Sequence, residues 1–162
     1  MIVDEVEYAT ATRPQTDKPG VGLERFPLFA RFVDQCQGMD LCRQIEEGKP
    51  YPIRAAACFG VNHMMYPDSP RFLKAMDSLD FILATDLFMT ELCGHADIVL
   101  PALSSLERSE LKLYGSVANY IQPVIEPVWN GRDDVEIMAS LARYLDLDDE
   151  LLREGYDAGA RF

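Results

Sequence analysis

Cysteine is scarce and unpatterned in this chain. Cys36, Cys42, Cys58 and Cys93 are the only four in 162 residues, and none forms a C-x-x-C pair. That spacing fits neither a zinc ribbon nor an iron–sulfur run. Histidine is rarer still: His63 and His95 lie far apart, and no metal site is expected. The cysteines read as small apolar residues buried in a protein of a reducing compartment. No apolar run approaches the roughly 20 residues of a membrane span. The segment Met1-Ile2-Val3-Asp4-Glu5 carries neither a basic n-region nor an apolar h-region, so no signal peptide is expected there. Basic residues are outnumbered, 15 Lys and Arg against 27 Asp and Glu, for a net charge of −12. Such a surface repels polyanions at long range, which argues against nucleic acid or an anionic membrane as the main partner. A single phosphorylated ligand stays compatible, because a few backbone N–H groups can bind it locally. G-x-G-x-x-G, G-x-x-x-x-G-K-[ST] and G-x-S-x-G are all missing. Their absence counts against a self-sufficient dinucleotide or ATP site and leaves a hydrolase nucleophile unsupported.

What is present is globular: 48% apolar and 26% charged residues, in a length that suits one domain with a real core. Residues 1–24 are polar, hold Pro14, Pro19, Gly20 and Gly22, and read as an extended lead-in. Residues 25–47 are amphipathic and predict one or two short helices, broken near Gly38 and ended at Gly48. Ile53 to Phe59 reads as a buried strand. Asp68-Ser69-Pro70 is a helix start, a cap residue followed by proline in the first turn. Phe72, Leu73, Met76 and Leu79 fall on one face of that helix. Phe81 to Thr85 reads as a second strand ending at Asp86, Phe88 to Gly94 as a short helix, and Asp97 to Leu100 as a third strand stopped by Pro101.

Strand, helix, strand, short helix, strand predicts an α/β fold: a Rossmann-like three-layer domain with a mainly parallel sheet. The strands are near-continuous apolar runs, as a sheet covered on both faces requires. Residues 102–127 read as a long loop with one or two extended pieces, such as Val117 to Gln122. Asp133 to Tyr144 reads as a helix, with a capping box of Asp133 and Glu136 and a face of Val135, Met138, Leu141 and Leu145. A last helical turn or two is expected from Asp148 to Glu154.

Ligands of open parallel sheets bind at the carboxyl ends of the strands. Here those ends carry Gly60 to His63, Asp86 to Thr90, and Pro101 to Ser105. Each residue has two readings. Gly60 lets backbone N–H groups approach a phosphate, or turns the chain. Asn62 bonds a ligand, or tolerates a left-handed turn. Asp86 accepts from ribose hydroxyls, or caps the helix that follows. Glu107 and Glu110 are either a carboxylate pair for acid–base work or a solvated face, as Arg108 between them suggests. His95 reads as packed or bonded to backbone, with no catalytic residue assigned.

Three stretches in order, "AACFGVNHMMYPDS", "LDFILATDLFMTELCGHADIVLPA" and "IQPVIEPVWNGRDDVEIMASLARYLDL", resemble the bis-molybdopterin guanine dinucleotide oxidoreductases, the superfamily of dimethyl sulfoxide reductase and formate dehydrogenase. The family pattern there is a strand ending in Gly-x-Asn-Pro, a strand into Asp-x-Phe-x-Thr-Glu, and Ala-Asp-x-Val-Leu-Pro. The resemblance covers residues 25–157. "GKPYPIR", "ERSELK" and "GYDA" are most similar to the thiosulfate and polysulfide reductase-like branch. The resemblance implies that residues 25–162 are a single α/β domain, cut from a larger catalytic subunit, that helps hold the guanosine-pyrophosphate end of one pterin cofactor. It implies that Gly60, Val61 and Asn62 lie along the phosphate and nucleoside, that Asp86 faces the guanosine, and that Leu87, Phe88 and Thr90 shape the wall beside it.

The cofactor so implied is molybdopterin guanine dinucleotide with Mo or W. The iron–sulfur cluster, the metal's protein ligand and the redox chemistry of bacterial anaerobic respiration belong to other domains of the parent. Those domains, and an electron-transfer subunit, are the implied partners, and the chain alone is expected to be inactive. Either side of the bacterial membrane is compatible. His63 departs from the family's proline, and the loop at 107–119 lacks the family's Glu-x-x-Gly-x-x-x-Asn form. The alternatives are a stand-alone or degenerate Rossmann-like nucleotide-binding module, or an adaptor that kept the fold without the chemistry.

Overall fold

The computed structural model describes residues 18–28, 36–114 and 117–145. The last helical turns expected at 148–154 lie outside them. The described residues form two compact units, divided between Leu100 and Pro101.

The first unit is an α/β unit. A turn of 3-10 helix at Gly38–Asp40 runs into α1, Leu41–Glu47, which ends at Gly48 in the left-handed conformation (φ 64°). Glycine suits that position because it lacks the Cβ that other residues would crowd against the carbonyl. Three strands follow: β1, Ala55–Phe59; β2, Phe81–Asp86; and β3, Ile98–Pro101. They form a parallel sheet in the order β1-β2-β3. Register pairs Ala55 with Phe81 and Phe59 with Thr85. Between β1 and β2 runs α2, Ser69–Met76; between β2 and β3 lies α3, Glu91–Gly94.

Local chemistry sets these boundaries. Asp68 caps α2 by accepting from Arg71 N–H at 3.1 Å, and Pro70 stands in the first turn, where its missing N–H costs nothing. Thr90 caps α3, its Oγ1 accepting from Cys93 N–H at 3.4 Å. That cap starts the helix at Glu91, three residues later than the Phe88 start expected from sequence. β1 likewise starts at Ala55, since Ile53 and Arg54 precede the paired register. Asp97 stands outside β3; its carboxylate instead accepts from Ile82 N–H at 2.7 Å, joining the strand entry to the middle of the sheet.

The core gathers Phe72, Ala75 and Met76 of α2, Ile82 of β2, Leu92 of α3, Cys42 and Cys58. Burying side chains such as Phe72, Met76 and Leu92 contributes about 1.5–3 kcal/mol each before conformational entropy is counted. Tyr66 lies against Phe72 with ring centroids 4.2 Å apart. Arg71 of α2 grips Glu46 of α1 through both carboxylate oxygens, at 2.9 and 2.5 Å. Only β2 is buried along its length, from Ile82 to Thr85; Ala55, Ala57 and Ile98 are exposed. The expectation of continuous cover on both faces therefore holds for the central strand and fails for the outer two.

Of the cysteines, Cys42, Cys58 and Cys93 are buried as expected, and Cys36 is exposed. Burial pushes the Cys42 and Cys58 thiols up. Such thiols are poor nucleophiles near neutrality.

The second unit carries an antiparallel hairpin of β4, Glu110–Tyr114, and β5, Val117–Ile121. Both lie in the span expected to hold one or two extended pieces, and β5 matches the stretch at Val117 to Gln122. α4, Asp134–Tyr144, is capped by Asp133, which accepts from Val135 N–H at 2.9 Å. The expected capping box is not the bond that forms, because the acceptor meets the second helical residue rather than Glu136. Ile137, Ala139 and Ala142 are the buried side chains of α4, while Val135, Met138, Leu141 and Leu145 lie exposed. Among the described residues no helix is long and apolar enough to cross a membrane.

Candidate functional site

Parallel pairing sends β1 and β2 out of the sheet at the same edge. With Phe59 opposite Thr85, Gly60, the first residue past β1, and Asp86, the last of β2, are neighbours by register. The rim is therefore two loops, residues 60–68 and 86–90. All seven residues expected at a site, Gly60, Val61, Asn62, Asp86, Leu87, Phe88 and Thr90, stand on them.

Gly60 is left-handed (φ 57°), and a Cβ there would meet no atom within 4 Å, so the space over this residue is open. Its N–H is already used, donating to Thr85 O at 2.9 Å. Gly60 therefore turns the chain and leaves open space, while its own N–H stays in the sheet's hydrogen bonding. The next donor along the chain is Val61 N–H, which meets no acceptor among the described residues. The Val61 side chain packs on the core and anchors the loop.

Asn62 and Asp86 serve as local caps. Asn62 Oδ1 accepts from Met64 N–H at 3.0 Å and opens the 3-10 turn His63–Met65. Asp86 Oδ1 accepts from Leu87 N–H at 2.7 Å and from Phe88 N–H at 3.4 Å. A carboxylate offers about four lone-pair sites, so Asp86 Oδ2 still has acceptor capacity after these two bonds. Thr90 is occupied at both ends: it caps α3 and donates its hydroxyl to Cys93 Sγ at 3.2 Å.

Two features of the rim go beyond the sequence reading. One is apolar: Met64, Met65 and Met89 are exposed beside the expected Leu87 and Phe88, with Phe88 at 76%. The other is polar. His63 is buried, and its Nε2 lies 3.0 Å from Glu91 Oε2 on α3. His63 is thus a strut at the position where the family pattern has proline. Nothing local in the sequence links residues 28 apart, although a histidine at one strand exit and a glutamate at the next helix start are the types that can pair. His95 bonds Asp77 through Nδ1 at 2.5 Å, so its partner is a carboxylate rather than backbone.

In the second unit Glu107 accepts from Ser104 N–H at 2.8 Å and from Val128 N–H at 2.6 Å. Hydrogen bonding from Ser104 and Val128 holds its carboxyl below the usual range. Glu110 meets Arg108 at 3.1 Å and Lys112 at 3.4 Å. These two carboxylates staple a loop and a hairpin and do not form an acid–base pair. Among the described residues no group of three or more His, Cys, Asp or Glu could hold a metal ion.

Comparison with known proteins agrees with this architecture. The sequence pattern of the molybdopterin oxidoreductase family matches residues 34–144. The chain is 33% identical over 136 residues to trimethylamine-N-oxide reductase 1 of Escherichia coli (strain K12), covering 80% of this chain and 16% of that protein. It is 36% identical over 84 residues to the dimethyl sulfoxide/trimethylamine N-oxide reductase of Cereibacter sphaeroides, covering 49% of this chain and 10% of that one. Among solved structures, acetylene hydratase from Pelobacter acetylenicus superposes with a TM-score of 0.64 at 28% identity, over 70% of this chain and 16% of that chain. The chain thus spans between a tenth and a sixth of the length of these relatives. A parallel sheet with an open carboxyl edge, and matches covering most of that fold, lead to one conclusion: the chain belongs to the molybdopterin oxidoreductase family.

Proposed function

We propose that this chain is a cofactor-binding domain of a larger molybdopterin oxidoreductase, and that its rim holds the guanosine-diphosphate end of a molybdopterin guanine dinucleotide. The observation that carries the reading is the shared edge: two capped loops leave neighbouring parallel strands with an open glycine on one and a carboxylate on the other. The residues fit such a group. Val61 N–H and the space over Gly60 suit a phosphate, which binds backbone donors where side chains leave room. Asp86 Oδ2 suits the hydroxyl or N–H donors of a guanosine. Phe88 and its methionine neighbours suit a flat purine face.

Charge orders these parts. A diphosphate is repelled by Asp86 and Glu91, so the phosphates belong toward Gly60 and the nucleoside toward Asp86. Asn62 and Thr90 then shape the loops through their caps rather than by touching the ligand.

The bound metal–pterin would supply the electron or atom transfer, with the rest of the parent enzyme and its electron-transfer partner completing the path. This chain's residues bind and orient, and the chain alone is expected to show no redox turnover. Asp86→Ala in the full-length parent enzyme tests the reading. Cofactor and metal content per protein should fall, and unchanged content would overturn the role given to Asp86.

A further inference from the structure

α3 is only four residues long, Glu91–Gly94. A helix of that length cannot hold itself by its own hydrogen bonds, since nucleation alone is unfavourable. An imidazole–carboxylate pair meets it at each end. At the start, Glu91 Oε2 lies 3.0 Å from Nε2 of His63, which follows β1. At the end, His95 Nδ1 lies 2.5 Å from Oδ1 of Asp77, which follows α2.

The first pair lies at the rim. The His63 side chain is 5% exposed and that of Glu91 61% exposed, so the bond runs from the interior out to the sheet edge. A buried ring nitrogen needs a partner, and Glu91 supplies one. The loop 86–90 is fixed at its near end by β2 and at its far end by α3. Whatever fixes Glu91 fixes that loop. The other loop is fixed through His63 itself, whose carbonyl accepts from Tyr66 N–H at 3.0 Å.

We infer that His63 and Glu91 are positioning residues that set the spacing of the two rim loops and so pre-organise the nucleotide site; the purpose given to the strut rests on the function proposed above. One side-chain bond joins loops that the chain itself connects only through 28 residues.

The test uses the 162-residue chain and three variants: Glu91→Ala, Glu91→Gln and His63→Gln. Glu91 is exposed, so its truncation spares the core. Amide hydrogen exchange is read at Leu87, Thr90, Met65 and Tyr66, with Ile82 of β2 as the internal reference. Glu91→Ala should speed exchange at the rim amides by about tenfold, the factor expected for loss of one charge-assisted bond, and leave Ile82 unchanged. Glu91→Gln and His63→Gln, which each keep a hydrogen-bonding group in reach, should return most of the protection. GDP affinity should follow the same order. Unchanged rim exchange in Glu91→Ala, an equal rise at Ile82, or a Glu91→Gln variant no better than alanine would each overturn the inference. If the unsubstituted chain binds no GDP, the nucleotide reading falls, and the exchange comparison still decides the strut.

Discussion

The N–H of Gly60 donates to the carbonyl oxygen of Thr85 at 2.9 Å, one residue beyond the last residue of β1. The sheet therefore continues its hydrogen bonding into the rim loop before the chain turns. The first N–H past β1 that meets no acceptor among the described residues is that of Val61, and Gly60 contributes its left-handed backbone and the open space above it.

Gly60→Ala separates these contributions. No atom lies within 4 Å of the added Cβ, so the cost is conformational only, about 1 kcal/mol of stability. Urea denaturation measures it. GDP binding should weaken further than stability does if the open space admits phosphate.

Asp86→Asn divides cap from ligand contact. The amide oxygen can still accept from Leu87 N–H, so thermal stability should change little, whereas loss of the charged acceptor should weaken GDP binding about tenfold. Asp86→Ala removes both and should also lower the melting temperature. Equal GDP affinity in Asn and wild type would remove Asp86 from the site.

Asp40 predicts the acid limit of the fold. Its buried carboxylate bonds Arg43 at 2.6 and 2.9 Å and Arg25 at 2.6 Å. The Arg43 bond, opposed by burial and reinforced by Arg25, holds its pKa below the ordinary value. A carboxyl depressed in the folded state stabilises above its unfolded pKa, near 3.9, and that contribution is lost as pH falls through the folded value. Urea midpoints should therefore drop below about pH 4. Asp40→Asn should flatten that acid dependence and cost about 2 kcal/mol at pH 7.

Phe72→Ala empties the middle of the core beneath the β1 exit. Phe72 is 2% exposed and packs on Tyr66, so the substitution should cost about 3–5 kcal/mol. Calorimetry checks it; a cost under 1 kcal/mol would show that the core collapses around the gap.

The parallel α/β unit was legible because its signals are local. Asp68-Ser69-Pro70 starts α2, Gly48 ends α1, and the apolar run into Asp86 marks the central strand. The expected site residues were legible as strand exits, since exits follow from strand ends. What stayed hidden depends on distant partners. The His63–Glu91 bond spans 28 residues, and the Glu107 staple reaches Val128 across 21. No continuous apolar run marks β4, because Glu110 and Lys112 interrupt its pattern and a hairpin strand open on one face needs none. On α4 the apolar face Val135, Met138, Leu141 and Leu145 was read correctly as a stripe, but periodicity alone does not say what covers it.

The most direct measurement is a titration of the 162-residue chain with GDP, followed residue by residue through backbone amide chemical shifts. The account predicts saturable changes confined to Gly60–Met65 and Asp86–Glu91, with Val61 among the largest. Saturation without any change at those two loops, or no binding up to millimolar GDP, would contradict it.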